Sequence, residues 1–409
     1  MIVYVKVNVL FNNHDFIVHV VDFHYSQIKY YKNLIENISQ RPDLVVNTFR
    51  DGKRFWEIKE SENMKIDAIV SNPPYQISLA TEKTKNNAGF GTAVYPHFID
   101  LAIKMKPSYV SMITPSRWMV KVGQGISTEW VDKMINCNHF LMVKDYLDAT
   151  ACFNNVEIKG GVNYFLFSDL YDGKCNYSLI QNGIEYSRTE YLNGQKLGVV
   201  LRDPMGLNII TKIILIEGNY FDTNSFSFMV SPKHYFDRDE LLSSNWTGYS
   251  KECDSEHTIK YYVNRNLDKK GFGWVTIQDI PKGHSTIPLH KVYIPKAGGS
   301  GTDPYVLGTP FYGEPNSVCS YTYLVLGYDN NRHNFSEKEC LNMISYIKTR
   351  FFRYLVSLKK KTQDNPRDVF QFVPIQDFSK SWTDDELYNK YHLTQSEIEY
   401  IESLIKPLI

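Results

Sequence analysis

Residues 66–76, Ile-Asp-Ala-Ile-Val-Ser-Asn-Pro-Pro-Tyr-Gln, join a short apolar run to a pair of prolines. The run from Ile66 to Val70 predicts a buried parallel strand. Pro73 and Pro74 remove two backbone donors and fix φ, so neither a helix nor a sheet can continue through them. We therefore expect a stiff loop at the carboxyl end of a strand, where open α/β sheets bind their ligands.

The groups in this loop suit a flat base that carries an amino group. Asn72 has an amide oxygen, and the carbonyl of the adjacent Pro73 is a second acceptor. Two neighbouring acceptors can hold both protons of an exocyclic NH2, which directs the nitrogen lone pair at an electrophile. Tyr75 supplies a face on which a base can stack. This geometry is needed to methylate the amino group of a base flipped out of a duplex.

Asn72-Pro73-Pro74-Tyr75 resembles motif IV of the S-adenosylmethionine-dependent amino-methyltransferases, in the form typical of adenine-N6 enzymes. The stretch 153–167 is similar to the corresponding part of Eco57I-like restriction-modification methylases, in which a hairpin follows an exposed aromatic residue. The resemblance implies that Phe153 stacks on the face of the base opposite Tyr75. Taken alone, a phenylalanine at this position is more often a core residue.

The segment before the motif alternates β-rich runs with a helical pattern. Runs at 2–11, 16–23 and 44–48 predict strands, and Ser26 predicts the N-cap of a helix that extends to about residue 37. This alternation predicts a parallel α/β sheet. With the resemblance, the expected fold class is α/β: a Rossmann-like methyltransferase sheet, N-terminally shortened, with an α+β target-recognition domain and a helical C-terminal tail.

The cofactor side of the expected site is incomplete in the sequence. In Rossmann-like methyltransferases an acidic residue after the second strand holds the ribose of the cofactor, and Asp22 has a suitable place; a solvated strand-end aspartate is the alternative. The first glycine of the chain is Gly52, so no glycine-rich turn precedes Asn72. Either a first strand and its loop are missing, or they have diverged, or another polypeptide supplies them.

Two further segments are candidates for contact with DNA near the motif. The polar segment 81–92 is expected to be a lid or a DNA contact. A second buried strand, 109–113, ends in Thr-Pro-Ser-Arg-Trp, and Arg117 in that sequence either contacts a phosphate or is a surface arginine.

We expect three domains: a methyltransferase catalytic domain at 1–172, a target-recognition domain at 173–335 and a helical C-terminal segment at 336–409. Within the second, residues 291–328 resemble the target-recognition part of the same methylases. Lys296 precedes a glycine-rich loop expected to be flexible, which contacts DNA or is an ordinary surface hairpin. The loop glycines are Gly298, Gly299 and Gly301.

The C-terminal segment shows three capping boxes, each a Ser or Thr followed by Glu three residues later. The first predicts one long helix from Ser336 to about residue 361, whose basic residues either contact the DNA backbone or form a solvated face. The other two predict a helical tail at 383–405 that only packs. The boxes are Ser336 with Glu339, Thr383 with Glu386 and Thr394 with Glu397, and the basic residues are Arg350, Arg353, Lys359, Lys360 and Lys361.

Composition excludes several classes of protein. The formal net charge is zero over 409 residues, which argues against a non-specific polyanion binder but allows local basic patches. The six cysteines contain no CxxC pair, which fits reduced thiols rather than disulfides or zinc. No apolar run approaches membrane-spanning length and no signal peptide is apparent, so a cytoplasmic protein is expected.

The expected function is site-specific transfer of a methyl group from S-adenosylmethionine to adenine N6 in a restriction-modification system. The expected partners are double-stranded DNA and either a restriction endonuclease or a complementing methylase fragment, with no metal. Related enzymes with this tetrapeptide modify RNA or glutamine, but the long segment after the motif favours DNA recognition. Cytosine N4 stays open as the target, although Tyr75 favours adenine.

Two alternative functions belong to other classes of protein. The first is a magnesium-dependent nuclease, because Pro42-Asp43 and Glu57-Ile58-Lys59 spell a PD-x-ExK pattern, with a further fragment at 157–159. The second is a truncated methylase without cofactor that binds DNA or forms one part of a split enzyme. Cofactor binding by the isolated chain separates the second alternative from an active enzyme.

Overall fold

The computed structural model describes two compact units, Met1–Pro204 and Met205–Ile409. The described residues are 2–10, 13–21, 45–49, 66–77, 92–121, 125–153, 158, 160–243, 245–263, 271–299, 303–329, 331–360 and 362–408, the first three ranges and residue 77 as backbone only.

The first unit is built on a mixed sheet. Its strands are β1 (Ile2–Leu10), β2 (Asn13–Val21), β3 (Val45–Phe49), β4 (Ala68–Ser71), β5 (Gln76–Ile77), β6 (Thr92–Ala93), β7 (Tyr109–Pro115), β8 (Phe140–Tyr146), β9 (Val162–Phe167), β10 (Cys175–Gln181) and β11 (Ile184–Glu190). Its described helices are α1 (Tyr95–Lys104) and α2 (Thr128–Asn136). In the described residues the sheet has the order β11-β10-β8-β9-β7-β4-β1-β2-β3, while β5 pairs with β6.

The strand directions define a common edge of this sheet. β4 pairs parallel with β7, and β8 pairs parallel with β10. β9 lies between β7 and β8 and is antiparallel to both, so β4, β7, β8 and β10 all run in the same direction. The carboxyl ends of these four strands therefore lie along one edge, where β9 begins.

The expected strands are present, but the prediction of a parallel sheet is wrong, because the sheet is mixed. β1 is antiparallel to both β2 and β4. Only two residues separate β1 from β2, and Leu10 pairs with Asn13. Such a short connection can only reverse the chain, because a parallel connection needs a crossover of about a dozen residues or more. The helix expected from Ser26 lies outside the described residues.

The core of the first unit lies against β7, β8 and β9. Trp118, Phe165 and Phe167 each pack against Phe140, with ring centroids 5.3–5.9 Å apart. The first helix, α1, buries Tyr95, Ile99 and Ala102 at helical spacing. Helix α2 begins where the Ser127 side chain accepts a hydrogen bond from the Trp130 backbone. These contacts fix the strand ends from which the site loops extend.

In its described residues, the second unit contains two small sheets and five α-helices. Its strands are β12 (Ile259–Tyr262), β13 (Phe272–Val275), β14 (Lys291–Pro295), β15 (Phe311–Gly313), β16 (Ser317–Cys319) and β17 (Tyr323–Leu326), in the orders β13-β12-β16 and β15-β14-β17. Its helices are α3 (Gly206–Glu217), α4 (Glu337–Lys348), α5 (Arg350–Lys359), α6 (Asp384–Lys390) and α7 (Gln395–Leu404).

The predicted long C-terminal helix is two helices. Thr349 adopts an extended conformation between α4 and α5, and its hydroxyl accepts a hydrogen bond from the Phe352 backbone. A threonine that caps a new helix interrupts the old one, because its hydroxyl competes for backbone donors. The capping boxes predicted at Ser336, Thr383 and Thr394 are confirmed.

The two units divide the chain differently from the three expected domains, 1–172, 173–335 and 336–409. β10 and β11 continue the sheet of the first unit, beyond residue 172. Helix α4 packs on β14 and β15 within the second unit. The functions expected for the three segments remain predictions. In the part of the chain that is described, no helix is long and apolar enough to cross a membrane.

Candidate functional site

The Asn72–Tyr75 loop is held at both ends. Ser71 ends β4 and is buried, while Asn72 is exposed, Pro73 buried and Tyr75 half-buried. The Tyr75 carbonyl accepts a hydrogen bond from the Val94 backbone at 3.1 Å. The pairing of β5 with β6 follows at once, so the loop is fixed between a central strand and the start of α1. An exposed amide on a fixed backbone is suited to hold a ligand.

The common edge brings together three groups of residues expected in the site. The Asn72–Tyr75 loop follows β4, and the 3-10 helix Ser116–Val120, which contains Arg117, follows β7. The short turn Ala149–Ala151 follows β8 and leads to Phe153. Because β4, β7 and β8 run in the same direction, these three segments lie at the same edge of the sheet.

The turn after β8 folds back towards Tyr75. Burial and, to a smaller extent, the nearby Cys152 thiol together raise the pKa of the Tyr75 phenol to about 12. At the level of the sheet, β8 is three strand positions from β4, a separation of about 14 Å. A direct electrostatic effect of Cys152 on Tyr75 therefore requires the turn and the Asn72–Tyr75 loop together to bridge that distance. The sequence reading missed Cys152, because a lone cysteine carries no signal.

Phe153 lies beside Cys152 on this turn. Its backbone N–H donates to the Ala149 carbonyl at 2.9 Å, and the Asp148 side chain caps the turn by accepting from Thr150. The phenylalanine is half-buried. Its position is compatible with the exposed aromatic residue expected from the family resemblance, and its role in stacking remains a prediction.

Arg117 is half-buried and packs into the edge. A Cβ atom on Gly160 would lie 3.0 Å from its Cγ, so the arginine stem contacts the turn before β9. Burial raises the pKa of the neighbouring Tyr95 phenol, and the Arg117 charge acts in the opposite sense. The side chain is therefore part of the site edge, and its contact with phosphate remains a prediction.

A buried polar cluster, missed by the sequence reading, lies behind these loops. Its members, called here the Asp145 cluster, are Ser116, Asp145, Asn163, Tyr177 and Arg202. Arg202 binds both carboxylate oxygens of Asp145, at 2.5 and 2.8 Å, and donates to the Gly160 carbonyl at 2.7 Å. Ser116 and Tyr177 donate to the same carboxylate at 2.6 and 2.8 Å. The signal for this cluster in the sequence was Asp145, a single aspartate in a largely apolar strand.

The described residues beside β4 do not fit an adenosyl cofactor. In open α/β sheets the turn that approaches such a ligand follows the carboxyl end of a strand. Here β1 occupies the position next to β4 in the reverse direction, and Ile2 pairs with Ser71. The amino end of β1 therefore lies at the edge of Asn72. Asp22, the expected ribose ligand, and segment 81–91, the expected lid, lie outside the described residues.

Lys296, in the second unit, lies on a loop that is held rather than flexible. Its ammonium group lies 4.6 Å from the centre of the Tyr321 ring, and its backbone pairs with Thr322 and Asn365. Gly298 donates to the Gln363 carbonyl at 2.9 Å. The expectation of a flexible loop is thus corrected at Gly298, because its backbone N–H is bound by a neighbouring segment. Gly301 lies outside the described residues.

Two of the basic residues expected either to contact the DNA backbone or to form a solvated face are instead buried. Arg353 has no exposed surface and donates to the carbonyls of Thr349 and Tyr305. Lys360 is equally buried and donates to the Val306 carbonyl at 2.5 Å. Both cations donate to carbonyl groups within the second unit, so a DNA-contacting surface and a solvated face are both wrong for them. Lys361 lies outside the described residues.

The described residues contain no group of three or more His, Cys, Asp or Glu side chains that could hold a metal ion. The acidic residues of the nuclease pattern, Asp43 and Glu57, lie outside the described residues, as does Glu157.

An Asn-Pro-Pro-Tyr loop at the edge of a mixed α/β sheet is the arrangement expected of a methyltransferase that acts on an amino group. Residues 10–153 match the family described as Eco57I restriction-modification methylase, which confirms the family resemblance over that range. An uncharacterized adenine-specific methylase of Mycoplasma pneumoniae (strain ATCC 29342 / M129 / Subtype 1) is 35% identical over 111 residues. That segment covers 27% of this chain and only 25% of the relative.

Two solved structures show weaker likeness. The type IIG restriction endonuclease BpuSI matches with a TM-score of 0.42 and 11% identity, over 94% of this chain and 54% of that one. A DrdV–DNA complex matches with a TM-score of 0.38 and 11% identity, over 88% of this chain and 49% of that one. The proposals below do not depend on either likeness.

Proposed function

We propose that this chain supplies the base-binding side of a site-specific adenine-N6 DNA methyltransferase of a restriction-modification system. The methyl donor is S-adenosylmethionine and the substrate is double-stranded DNA. The observation that carries the proposal is the Asn72–Tyr75 loop, fixed at both ends, with the Cys152–Phe153 turn folded back towards it. The family match over residues 10–153 supports it, because that range includes both segments.

Asn72 and Pro73 position the reacting nitrogen in this proposal. The Asn72 amide oxygen and the Pro73 carbonyl oxygen accept the two N6 protons of an adenine flipped out of the duplex. Both acceptors sit on a loop with little freedom, so they are oriented before the base arrives. Holding both protons leaves the nitrogen lone pair directed away from the loop, available as the nucleophile.

Tyr75 and Phe153 bind the flat faces of the base. Stacking on an aromatic side chain is worth about 1–3 kcal/mol per base. Flipping a paired base costs a few kcal/mol. Two stacking contacts are therefore of the size needed to offset the cost of flipping, and the loop amides then select the amino group.

S-adenosylmethionine supplies an electrophilic methyl group when bound. Asp22 remains the candidate for its ribose hydroxyls, and we assign no described residue to the donor because the reversed β1 does not fit it. We further propose that the sheet is a Rossmann-like methyltransferase sheet in which β1 takes the place of the first strand.

The reversed β1 favours a second candidate, in which the chain is one part of a split enzyme. The base side would then come from this chain and the cofactor side from a complementing methylase fragment. A restriction endonuclease is the other proposed partner.

Contacts with the DNA backbone are proposed at Arg117 and Lys296. Arg117 lies at the edge that holds the base loop, within reach of a flanking phosphate. Lys296, beside the Tyr321 ring, is assigned to the recognition segment 173–335. The helical tail at 383–405 is assigned to packing.

The test is transfer of labelled methyl from S-adenosylmethionine to unmethylated genomic DNA, followed by nucleoside analysis. We expect N6-methyladenine, lost in Asn72→Ala. The matched control is Asn176→Ala, which removes an exposed amide at the start of β10, on the opposite edge of the same sheet. Label in cytosine, or equal activity of the two variants, would refute the proposal. Activity that appears only after a cofactor-binding fragment is added would favour the split enzyme.

A further inference from the structure

The Asp145 cluster lies directly behind the loops that frame the proposed base site. We propose that this cluster sets the relative position of the turn after β7 and the turn before β9, so that Ser116, Asp145 and Arg202 are positioning residues for the target base. The inference rests on the proposed function, since it concerns the same site.

The hydrogen bonds of the cluster join the two turns. Asp145, fully buried on β8, accepts from Ser116 at the start of the turn after β7. Arg202 binds the same carboxylate and also the carbonyl of Gly160, in the turn before β9. The Ser116 backbone N–H donates to the Gly161 carbonyl at 3.0 Å. One carboxylate thus fixes both loops against each other.

The turn before β9 has little freedom of its own. Gly160 and Gly161 have φ angles of +91° and +76°. A Cβ atom on Gly161 would lie 2.1 Å from the Tyr146 carbonyl oxygen, and one on Gly160 would lie against Arg117. A small shift of this turn therefore moves Arg117 and the end of β8, from which the Cys152–Phe153 turn departs. Arg202 is the side chain that holds the turn in place.

A role in orienting the two turns explains the Asp145 cluster better than a contribution to the stability of the fold. A buried ion pair is seldom more stabilising than apolar side chains of the same volume, because both charges lose their hydration. Here the pair lies at the edge that carries the base loop, and three donors converge on one carboxylate. This directional arrangement fixes angles that apolar packing would leave adjustable.

The cluster offers a matched pair of variants. Ser116→Ala removes one hydrogen bond to Asp145 from the turn after β7. Tyr177→Phe removes one hydrogen bond to the same carboxylate from β10, which carries no site loop. If the cluster only stabilises the fold, the two variants must behave alike. If it positions the base site, only Ser116→Ala alters binding of the base.

The readout is the affinity of the full chain for two end-labelled duplexes, measured by fluorescence anisotropy. One duplex is fully paired, and the other carries a single adenine opposite an abasic site, which removes most of the flipping cost. The base-capture ratio is the Kd for the paired duplex divided by the Kd for the unpaired one. Thermal unfolding of each variant is measured in parallel.

We expect the parent chain to show a base-capture ratio of about tenfold or more. Tyr177→Phe should keep that ratio, and Ser116→Ala should lower it about tenfold, towards one, at similar thermal stability. Equal ratios for the two variants would overturn the positioning role while the proposed function stands. A parent ratio of one would overturn the proposed function and this inference with it.

Discussion

Lys291, at the start of β14, should make the stability of the protein depend on pH in a defined way. The residue has no exposed surface, and burial lowers the pKa of its ammonium group from 10.5 to about 8. Between these two values the unfolded chain binds a proton that the folded chain has lost. Stability therefore rises with pH across this window, and the contribution is absent below about pH 8.

The size of the effect follows from the two pKa values. Over the whole window, a difference of 2.5 pH units corresponds to about 3.4 kcal/mol. Between pH 7 and pH 9.5 the gain is about 2 kcal/mol, since the unfolded-state lysine is still largely protonated at pH 9.5. Lys291→Met should lose this gain. The substitution also removes the hydrogen bonds of Lys291 to Ile287, Glu314 and Ser317. This loss changes the free energy of unfolding by an amount that does not depend on pH.

The assay is urea unfolding of the parent chain and Lys291→Met at pH 7.0, 8.0, 9.0 and 9.5. Other groups titrate in this range, including the buried thiols, so the quantity to follow is the difference between the two proteins. That difference should change by about 2 kcal/mol in favour of the parent. Lys338→Met, which changes an exposed lysine, is the control and should show a constant difference. A constant difference for Lys291→Met as well would refute the reasoning.

Three further outcomes are expected. Tyr75→Ala should weaken binding of the unpaired-adenine duplex by about 1–3 kcal/mol, or 5- to 150-fold in anisotropy titrations. Tyr75→Phe should bind this duplex normally and unfold in urea at equal or higher stability, because the buried Tyr75 hydroxyl has no hydrogen-bond partner among the described residues. Equal losses in both variants would contradict this. Thr349→Ala should cost about 1 kcal/mol in urea unfolding through the lost cap of α5, and no loss would show that the cap is dispensable. Arg202→Gln should cost about 3–5 kcal/mol of unfolding free energy by leaving the buried Asp145 charge unpaired, and a neutral result would show that the pair is not desolvated.

The local elements of the site could be predicted because their signals are local. An apolar run that stops at two prolines defines a strand and a stiff loop, and the structure places β4 and the Asn72 loop there. The capping boxes at Ser336, Thr383 and Thr394 could be predicted equally well, because a capping box depends only on two residues that are three positions apart.

Features that depend on tertiary context could not be predicted. β1 runs antiparallel to β2 because only two residues connect the two strands. Both sides of this connection are rich in β-forming residues, so the turn cannot be recognised from the sequence. Thr349 interrupts a continuous apolar pattern, so the break between α4 and α5 is invisible to periodicity. Asp145 and Arg202 are 57 residues apart in sequence, and only the fold brings them together.

The most direct test of the account is to find where an unpaired adenine binds. A duplex with one 8-azidoadenine opposite an abasic site is irradiated with the full chain, and the crosslinked peptides are mapped by mass spectrometry. The account predicts crosslinks at residues 72–75 and at Phe153, reduced in Tyr75→Ala. Crosslinks confined to other parts of the chain would contradict the assignment of this edge as the base-binding site.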